Sequence, residues 1–459
     1  MYNIDFQHPI HIYFIGIGGI SMSGLAEILL TEDFRVSGSD MRQSPLTEAL
    51  KEKGAVVHYG QRAENLTYDI DLIVYTSAIH PDNPEFIAMK EMGIPHLSRA
   101  ELLGQMMKNY KLPIAVSGTH GKTTTTSMIS EILLENDCDP TLSIGGIFKT
   151  IGGNIRVGKS EYFVTEACEY TNSFLSFFPK IGIILNIEED HLDFFKDIHD
   201  IRTSFHKFAK LLPEDGTLII NGDIDNYEEI TRGLTCRVIT CGSTPSCDYS
   251  YSDLHFDGLA HASFTLNRRN NLAEDFSLMV PGEHNVHNAM AAIALADVLR
   301  IDSDTVKKAL LHFTGTDRRF EYKGKKDGIT IIDDYAHHPT EITATLKAAQ
   351  NYPHNTLWCV FQPHTYTRTK SFLKEFAAAL SLADKVVLSD IYAARETDNL
   401  GISSANLQAE INKLGAECFY LSSFEEIENF LSESCVKNDL LITMGAGDIV
   451  KVGENLLKK

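Results

Sequence analysis

Short apolar runs rich in β-branched and aromatic residues alternate along most of the chain with longer segments in which apolar positions recur at helical spacing. The short runs lie at 11–19, 34–40, 71–79, 94–98, 113–117, 161–167, 181–187, 216–223, 328–336, 356–363, 385–392, 417–423 and 439–445. Strands that alternate with helices are typical of parallel sheets covered by helices. The pattern therefore predicts an α/β protein.

The alternation is interrupted or changes character at two points, which indicates separate domains. A polar break at 109–113 precedes a new strand, and a third set of strands begins at about residue 328. Between about 248 and 280, serine, aspartate and aromatic residues alternate, which predicts antiparallel hairpins laid against the central sheet. We therefore predict three α/β domains at 1–110, 111–322 and 323–459.

Composition and charge restrict the possible partners. The 459 residues include 41 Lys and Arg against 62 Asp and Glu, a net charge of −21. This charge disfavours nucleic-acid polymers and anionic membrane surfaces, although a small phosphorylated ligand remains possible. No apolar run approaches a membrane span, and no leader sequence is recognisable. Eight cysteines without a CxxC pair favour reduced thiols and a cytoplasmic location.

A glycine cluster after the first strand predicts a nucleotide-diphosphate site. Gly16, Gly18 and Gly19 lie where a strand passes into a helix, so that backbone N–H groups can hold a diphosphate. Asp40 follows at about the spacing of an acidic residue that binds a ribose hydroxyl. Ser21 replaces the third glycine of the dinucleotide motif, which disfavours NAD. Tight packing of the helix on the strand is the alternative explanation.

The strongest local motif follows the strand at 113–117 and predicts an ATP site. Its residues are Gly118, Thr119, His120, Gly121, Lys122, Thr123 and Thr124. A turn of this composition directs several N–H groups inward, Lys122 can reach the β- and γ-phosphates, and Thr123 can offer its hydroxyl to Mg²⁺. The spacing is shorter than in the usual P-loop, because Val116 stands in place of the first glycine.

Acidic residues and a histidine follow two later strands of the central domain. Glu166 and Glu169 come after one strand, and Asp190 and His191 come after the next. Carboxylate and imidazole groups can ligate divalent ions that neutralise charge during phosphoryl transfer. Helix capping by the acidic residues and a structural histidine are the alternatives, and spacing alone does not decide between them.

Three further segments concentrate polar residues. Asn285 and Asn288 share one face of a predicted helix, and Arg319 lies just before the second domain boundary. In the third domain the candidates are Asp334, His337 and Arg368. They follow strands, where open α/β sheets place ligand sites, and an arginine there suits a phosphate or carboxylate. A charged surface turn is the alternative for each segment.

The order of the motifs is GIGG, SGSD, GTHGKTTT, EACE with SFL, NIEEDHLD, HNVHNA, GTDRRF, DDYAHHPTEI and QPHTYTRT. In this order, from about residue 11 to the C-terminus, the chain resembles the Mur ligases of peptidoglycan synthesis. GTHGKT alone indicates a wider family that includes folylpolyglutamate synthase. DDYAHHPTEI with QPHTYTRT resembles more specifically the member that adds L-alanine.

The resemblance implies an ATP-dependent ligase with Mg²⁺ as its metal ion, UDP-N-acetylmuramate and L-alanine as substrates, and an acyl-phosphate intermediate. It implies a Rossmann-like N-terminal domain, a central P-loop ATPase-type domain with a mixed sheet, and a Rossmann-like C-terminal domain. We also expect a monomer or a weak homodimer.

The resemblance also implies roles for individual residues. Lys122 would bind the phosphates and Thr123 one Mg²⁺. Glu166 would contact that metal or order the amine, and His191 would ligate a second Mg²⁺. Lys122, Glu166 and His191 would be catalytic groups. The adenine side would be formed by Asn285 and Asn288, with Arg319 near the nucleotide. From the third domain Asp334, His337 and Arg368 would reach the ATP and amino-acid side, with His337 among the catalytic groups. The residues that would hold the UDP-sugar are Gly16, Gly18, Gly19, Asp40 and Ser77.

The chain departs from the family at one place, and alternatives remain. The family commonly has EADESD where this chain has EACEYT, so that Cys168 and Thr171 replace acidic residues. One alternative is a related ligase that attaches a recycled peptide to the same UDP-sugar. Two others are a nicotinamide-dependent oxidoreductase, suggested by the first glycine cluster, and a catalytically inert UDP-sugar-binding protein.

Overall fold

The computed structural model describes residues 2–76, 79–270, 272–394 and 396–458, and its strands form three separate sheets. The first sheet is entirely parallel, with the order β3-β2-β1-β4-β5. Its strands are β1 (His11–Ile15), β2 (Arg35–Asp40), β3 (Val56–Tyr59), β4 (Leu72–Tyr75) and β5 (His96–Ser98). The helices are α1 (Ile20–Thr31), α2 (Pro45–Glu52), α3 (Pro84–Met92) and α4 (Arg99–Met107). The order reverses between β1 and β4, where Rossmann-type sheets bind ligands.

The central sheet has ten strands in the order β15-β14-β13-β12-β11-β10-β6-β9-β7-β8. They are β6 (Leu112–Ser117), β7 (Thr141–Phe148), β8 (Gly153–Arg156), β9 (Tyr162–Glu166), β10 (Ile181–Ile184), β11 (Thr217–Asn221), β12 (Arg237–Cys241), β13 (Tyr249–Phe256), β14 (His261–Arg268) and β15 (Ala273–Pro281). The helices are α5 (Lys122–Glu135), α6 (Ile198–Ala209), α7 (Glu228–Thr231), α8 (Glu283–Leu299) and α9 (Ser303–His312).

The hairpins predicted between 248 and 280 are present, since β13–β14 and β14–β15 pair antiparallel. They continue the central sheet beyond β12 and are not laid against it. The alternating exposure of β15 explains the sequence pattern, because only one face of this extension is covered. The parallel strands β6, β10 and β11 at the middle of the sheet are buried along almost their whole length.

The third sheet has six strands in the order β16-β17-β21-β18-β19-β20, with only β16–β17 antiparallel. They are β16 (Glu321–Lys326), β17 (Ile329–Asp334), β18 (Leu357–Phe361), β19 (Lys385–Leu388), β20 (Glu417–Tyr420) and β21 (Leu440–Met444). The helices are α10 (Pro339–Ala349), α11 (Tyr366–Ser371), α12 (Leu373–Leu380), α13 (Ser404–Lys413), α14 (Phe424–Ser434) and α15 (Val450–Lys458).

The predicted α/β class with three domains is confirmed, and each domain contains one sheet. The exact limits at 110/111 and 322/323 stay predictions, and β16 begins at Glu321, just before the second limit. All eight cysteines are free thiols. Among the described residues, none of the helices combines the length and the apolar character needed to cross a bilayer.

Glycines allow the N-terminal and central domains to approach closely. Gly104 in α4 packs against the backbone of Ser176, and Gly24 in α1 packs against Ile155 of β8. A Cβ added at Gly104 would overlap the Ser176 carbonyl oxygen, and a Cβ at Gly24 would overlap the Ile155 side chain. The interface therefore fixes how the first sheet is oriented toward the central one.

We predict that Gly104→Ala destabilises the protein, although an alanine in a helix interior usually adds about 1 kcal/mol of stability over glycine. The added methyl group meets backbone, which cannot rotate away, so we expect a loss of about 1–3 kcal/mol. Gly153→Ala is the matched control, because open space surrounds that position. Calorimetric unfolding measures both variants, and an unchanged or raised midpoint for Gly104→Ala would contradict the packing argument.

Candidate active site

Two adjoining cavities of about 380 and 480 Å³ lie between the ends of the central and third sheets. Both are lined by His120, Gly121, Arg319 and Glu341, so they form one continuous cleft. Of the predicted residues, the smaller cavity also contains Thr124, Asn285, Asn288 and Asp334. The larger cavity also contains Thr119, Lys122, Thr123, Glu166, His191 and His337. The N-terminal domain reaches the larger cavity through Ile20.

The turn between β6 and α5 requires its two glycines. Gly118 and Gly121 have φ angles of 141° and 81°, which side chains disfavour. A Cβ at Gly121 would also lie 2.6 Å from Oδ1 of Asn288. Because α5 begins directly after Gly121 and has no side-chain cap, the N–H groups of its first turn remain available to an anion.

Lys122 is held by three acceptors, as many as its ammonium group has N–H donors. Nζ donates to the carbonyl oxygens of Gly118 and Thr119, at 2.5 and 3.1 Å, and to Oε2 of Glu169 at 3.0 Å. Burial disfavours the charge, but the Glu169 carboxylate outweighs this effect and raises the pKa of Lys122. To bind a phosphate, the ammonium group must therefore exchange at least one of these partners.

Three of the predicted metal-binding side chains lie around this lysine. Thr123 is buried in the first turn of α5, and Glu166 ends β9, where its Oε1 accepts from the Gly145 N–H at 2.5 Å. His191 Nε2 lies 3.8 Å from Oε1 of Glu169. Among the described residues, that oxygen is buried without a hydrogen-bond partner. Such a donor set of hydroxyl, carboxylate and imidazole fits a divalent cation.

Arg368 does not line either cavity. Instead its Nε and Nη2 donate to Oδ1 of Asp190, at 3.1 and 2.8 Å, in a buried pair between the central and third domains. Burial disfavours the Asp190 charge, but Arg368 outweighs this effect and holds the pKa of Asp190 well below its usual range. Asp190 also accepts from the backbone N–H of His191, whose φ is 53°. The arginine therefore fixes the segment that positions His191.

His120 lies between carboxylates of two domains. Its Nε2 is 3.4 Å from Glu188, which follows β10, and its Nδ1 is 3.3 Å from Glu341 in α10. Burial opposes protonation, but Glu341 and Glu188 outweigh it and raise the pKa of His120 to about 9. The charged imidazole thus joins the turn between β6 and α5 to the third domain.

Asn285 and Asn288 lie one helical turn apart on α8, as predicted, and both are buried. Asn285 Nδ2 donates to the carbonyl oxygen of Pro281, and Asn288 Nδ2 donates to Oδ1 of Asn285. The cavity beside them is also lined by Leu185 and Ile219. A cavity with apolar walls and two side-chain amides held by hydrogen bonds suits a nucleobase.

The predicted residues on either side of the second domain boundary lie near Tyr335, and they are Arg319, Asp334 and His337. Arg319 packs over the Tyr335 ring at 5.2 Å and lies 3.8 Å from Glu341. Asp334 accepts from the backbone N–H groups of Phe320 and Ala336, and burial raises the pKa of Asp334 to about 6. Burial also lowers the pKa of His337 to about 3, so its imidazole is neutral at pH 7.

The N-terminal glycine cluster lies apart from both cavities. Gly16 and Ile17 donate to the carbonyl oxygen of Ser39, Gly19 donates to that of Gly16, and Gly18 donates to Oδ2 of Asp40 at 2.9 Å. The N–H groups of the turn are thus already engaged, that of Gly18 with the Asp40 carboxylate and the others with backbone carbonyl oxygens. The first turn of α1 has no side-chain cap, so its N–H groups offer the anion site instead. Ser77 lies outside the described residues.

Sequence reasoning missed the roles of three residues. Glu341 contacts both His120 and His337, and Glu169 is the partner of Lys122. Arg99 begins α4 and donates to Ser21 Oγ at 3.1 Å, toward the central domain. Only their positions beside the motifs marked them in the sequence, since Glu341 meets His120, Glu169 meets Lys122 and Arg99 meets Ser21 from distant parts of the chain.

Comparisons with known proteins cover the whole chain. Family models match as "Mur ligase family, catalytic domain" at 11–111, "Mur ligase middle domain" at 116–296 and "Mur ligase, glutamate ligase domain" at 318–447. A curated UDP-N-acetylmuramate–L-alanine ligase from Lachnospira eligens is 62% identical over 459 residues, which is 100% of both chains.

Solved structures agree with the sequence comparison. The UDP-N-acetylmuramate–alanine ligase of Thermotoga maritima has a TM-score of 0.82 at 29% identity, covering 98% of both chains. A murein peptide ligase from Psychrobacter arcticus has a TM-score of 0.73 at 26% identity, also covering 98% of both.

We predict strong coupling between Asp190 and Arg368. Removing one partner leaves a buried charge unpaired, so Asp190→Asn and Arg368→Gln should each lower the free energy of unfolding by about 3–5 kcal/mol. The loss of unfolding free energy in the double variant should be smaller than the sum of the two single losses, by about 1–3 kcal/mol. Because the pKa of Asp190 is lowered, the pair stays charged down to acidic pH. The coupling free energy measured at about pH 5.5 should therefore equal that at about pH 8.

The exposed pair of Glu48 and Lys51 is the control for this cycle, and its coupling should be far smaller, because solvent screens the two charges. Urea unfolding of the single and double variants measures both couplings. Additive effects at Asp190 and Arg368 would show that the two side chains do not act as a pair.

Proposed function

Because the chain belongs to the Mur ligase family, we propose that it joins L-alanine to the lactyl carboxylate of UDP-N-acetylmuramate in an ATP-dependent step of peptidoglycan synthesis. The full-length similarity to a ligase of this activity carries the assignment. The nicotinamide-dependent and catalytically inert alternatives have no such support. A phosphate-binding turn in a cleft bordered by all three domains agrees with the assignment.

The chemistry explains why such a cleft is needed. A carboxylate is a poor electrophile, so it must first be activated by ATP as an acyl phosphate, which the alanine amine then attacks. This requires two anions to meet in one site, and positive charge must offset their repulsion. We assign this role to Lys122 and to the N–H groups at the start of α5, since both lie in the phosphate-binding turn.

We assign Mg²⁺ binding to Thr123, Glu166 and His191. The buried, unpartnered oxygen of Glu169 beside His191 supports a cation at this place. When bound, the ion would supply charge neutralisation for the transferred phosphoryl group. Glu169 meanwhile holds Lys122 in a charged form beside the site.

The nucleotide assignment follows the two cavities. Asn285 and Asn288 would hydrogen-bond the adenine in the smaller cavity, and Asp334 would face the ribose side. Arg319 lines both cavities, so it would contact the phosphates between them. Its stacking on Tyr335 orients the guanidinium group without occupying its N–H donors.

The amino-acid side is assigned to the third domain. His337 donates from Nδ1 to the Tyr335 carbonyl oxygen at 3.0 Å, which leaves Nε2 as an acceptor for the alanine amine. With a pKa of about 3, His337 orients the amine but does not store its proton. Arg368 acts through Asp190 and thereby positions His191.

The UDP-sugar is assigned to the N-terminal domain, through Gly16, Gly18, Gly19, Asp40 and Ser77. Because the N–H groups of the glycines are already engaged, the first turn of α1 would hold the diphosphate, and Asp40 would support the turn. The cytoplasmic location and a monomeric or weakly dimeric state remain part of the proposal.

We predict that phosphate release from ATP in the presence of Mg²⁺ and UDP-N-acetylmuramate depends on L-alanine. The assay compares L-alanine, glycine, L-serine and a muropeptide-type tripeptide as acceptors, with product mass as the second readout. The similarity to a murein peptide ligase makes the tripeptide the informative competitor. A higher kcat/KM for the tripeptide would overturn the alanine assignment but retain the ligase class.

We predict that the variants Lys122→Ala and Glu166→Gln lose activity with different dependences on the Mg²⁺ concentration. Loss of the Lys122 charge should lower kcat by roughly 10²–10³-fold or more at every Mg²⁺ concentration. Glu166→Gln should raise the half-saturating Mg²⁺ concentration, on the order of tenfold, so that excess Mg²⁺ partly restores the rate. Lys111→Ala, at the polar break between domains, is the control. A Glu166→Gln defect that is independent of Mg²⁺ would remove Glu166 from the proposed metal site.

A further inference from the structure

We propose a second metal site, for a nitrogen-preferring divalent cation such as Zn²⁺, formed by His120, Glu188 and His338. Each residue offers one ligand atom, and the three atoms lie within 4.8 Å of one another. Two imidazoles and a carboxylate are a common donor set for zinc with one open position. The inference does not depend on the proposed ligase activity.

The unused nitrogen of His120 is the first observation that supports the site. Nε2 is buried, and among the described residues it has no hydrogen-bond partner. In the charged imidazole this nitrogen carries a proton, which a metal ion would displace, so that binding at this site releases a proton. It lies 3.4 Å from Oε2 of Glu188, which is longer than a good hydrogen bond but suits two ligands of one ion. The centroids of the His120 and His338 rings lie 4.7 Å apart, which agrees with the proximity of their ligand atoms.

The surrounding hydrogen bonds are those that orient metal ligands. Glu341 lies 3.3 Å from Nδ1 of His120, on the side of the ring opposite to the proposed ion. His338 donates from Nε2 to the carbonyl oxygen of Glu189 at 3.0 Å, which leaves Nδ1 with a lone pair. Thr340 donates its hydroxyl to Glu188 at 2.6 Å. Ligating histidines typically have their second nitrogen held in this way.

The site is chemically distinct from the proposed Mg²⁺ site. Mg²⁺ prefers oxygen ligands, whereas two imidazoles favour Zn²⁺, Co²⁺ or Ni²⁺. The Thr340 N–H donates to Nδ1 of His338 at 3.4 Å and therefore competes with the ion for the lone pair of this nitrogen. This hydrogen bond is long, so the ion can displace it. The carboxylates of Glu188 and Glu341 make the surroundings suitable for a cation.

The ligands of the proposed ion come from both the central and the third domain. His120 belongs to the phosphate-binding turn and Glu188 to the central domain, whereas His338 caps α10 of the third domain. A bound ion would therefore tie the third domain to the phosphate-binding turn.

The test is a Co²⁺ titration of the full-length protein without nucleotide, followed by visible absorption. We expect one equivalent to give the d–d bands of a four-coordinate site without a thiolate charge-transfer band, which excludes the free cysteines. Glu188→Gln and His338→Asn should weaken binding by roughly 10–100-fold or more. Asparagine at 338 keeps a side chain that can cap α10.

His199→Gln is the matched control, since His199 is an exposed histidine on α6 and should leave the titration unchanged. X-ray absorption of the wild-type Zn²⁺ form is independent of how well the variants fold, and should give two imidazoles, an oxygen and no sulfur. Zn²⁺ should also raise the thermal midpoint of wild type but not of Glu188→Gln. A sulfur ligand, no stoichiometric binding, or full binding by both variants would each overturn the site.

Discussion

The buried ion pair between Asp190 and Arg368 holds the central and third sheets together at the cleft. Parallel sheets present their ligand-binding residues at the carboxyl ends of the strands, so two such edges must face each other to form one site. Arg368 reaches Asp190 from the third domain, and Asp190 in turn fixes the backbone of His191. The position of the proposed metal ligand therefore depends on an interaction between domains.

The same cleft resolves the contrast between an acidic protein and anionic substrates. The net charge of −21 belongs largely to exposed side chains, whereas the cleft concentrates Lys122, protonated His120, Arg319 and uncapped helix termini. Carboxylates hold Lys122 and His120 and raise the pKa of both groups, as Glu169 does for Lys122. An arriving phosphate must compete with these carboxylates, so binding exchanges one charged partner for another.

Local patterns made the fold and the turn between β6 and α5 predictable, because strand runs, glycines and the Gly-Lys-Thr segment are continuous in sequence. The pairings across domains were not predictable, since Glu341 meets His120 from more than 200 positions away. For the same reason Arg368 was expected in a substrate pocket, yet it is buried against Asp190. Asp40 likewise supports the glycine turn through Gly18, a contact that spacing does not reveal.

Cys168, which departs from the family's EADESD sequence, changes the electrostatic surroundings of Arg99. Burial, with Glu169 nearby, raises the pKa of Cys168, so this side chain is a neutral thiol where an aspartate is common. Burial also lowers the pKa of Arg99, and Cys168 is the sulfur with which it interacts electrostatically. An aspartate at 168 would neutralise this arginine, whereas a thiol leaves its charge directed toward the boundary of the first two domains. The substitution thus places a neutral thiol instead of a carboxylate beside the arginine that donates to Ser21 at the start of α1.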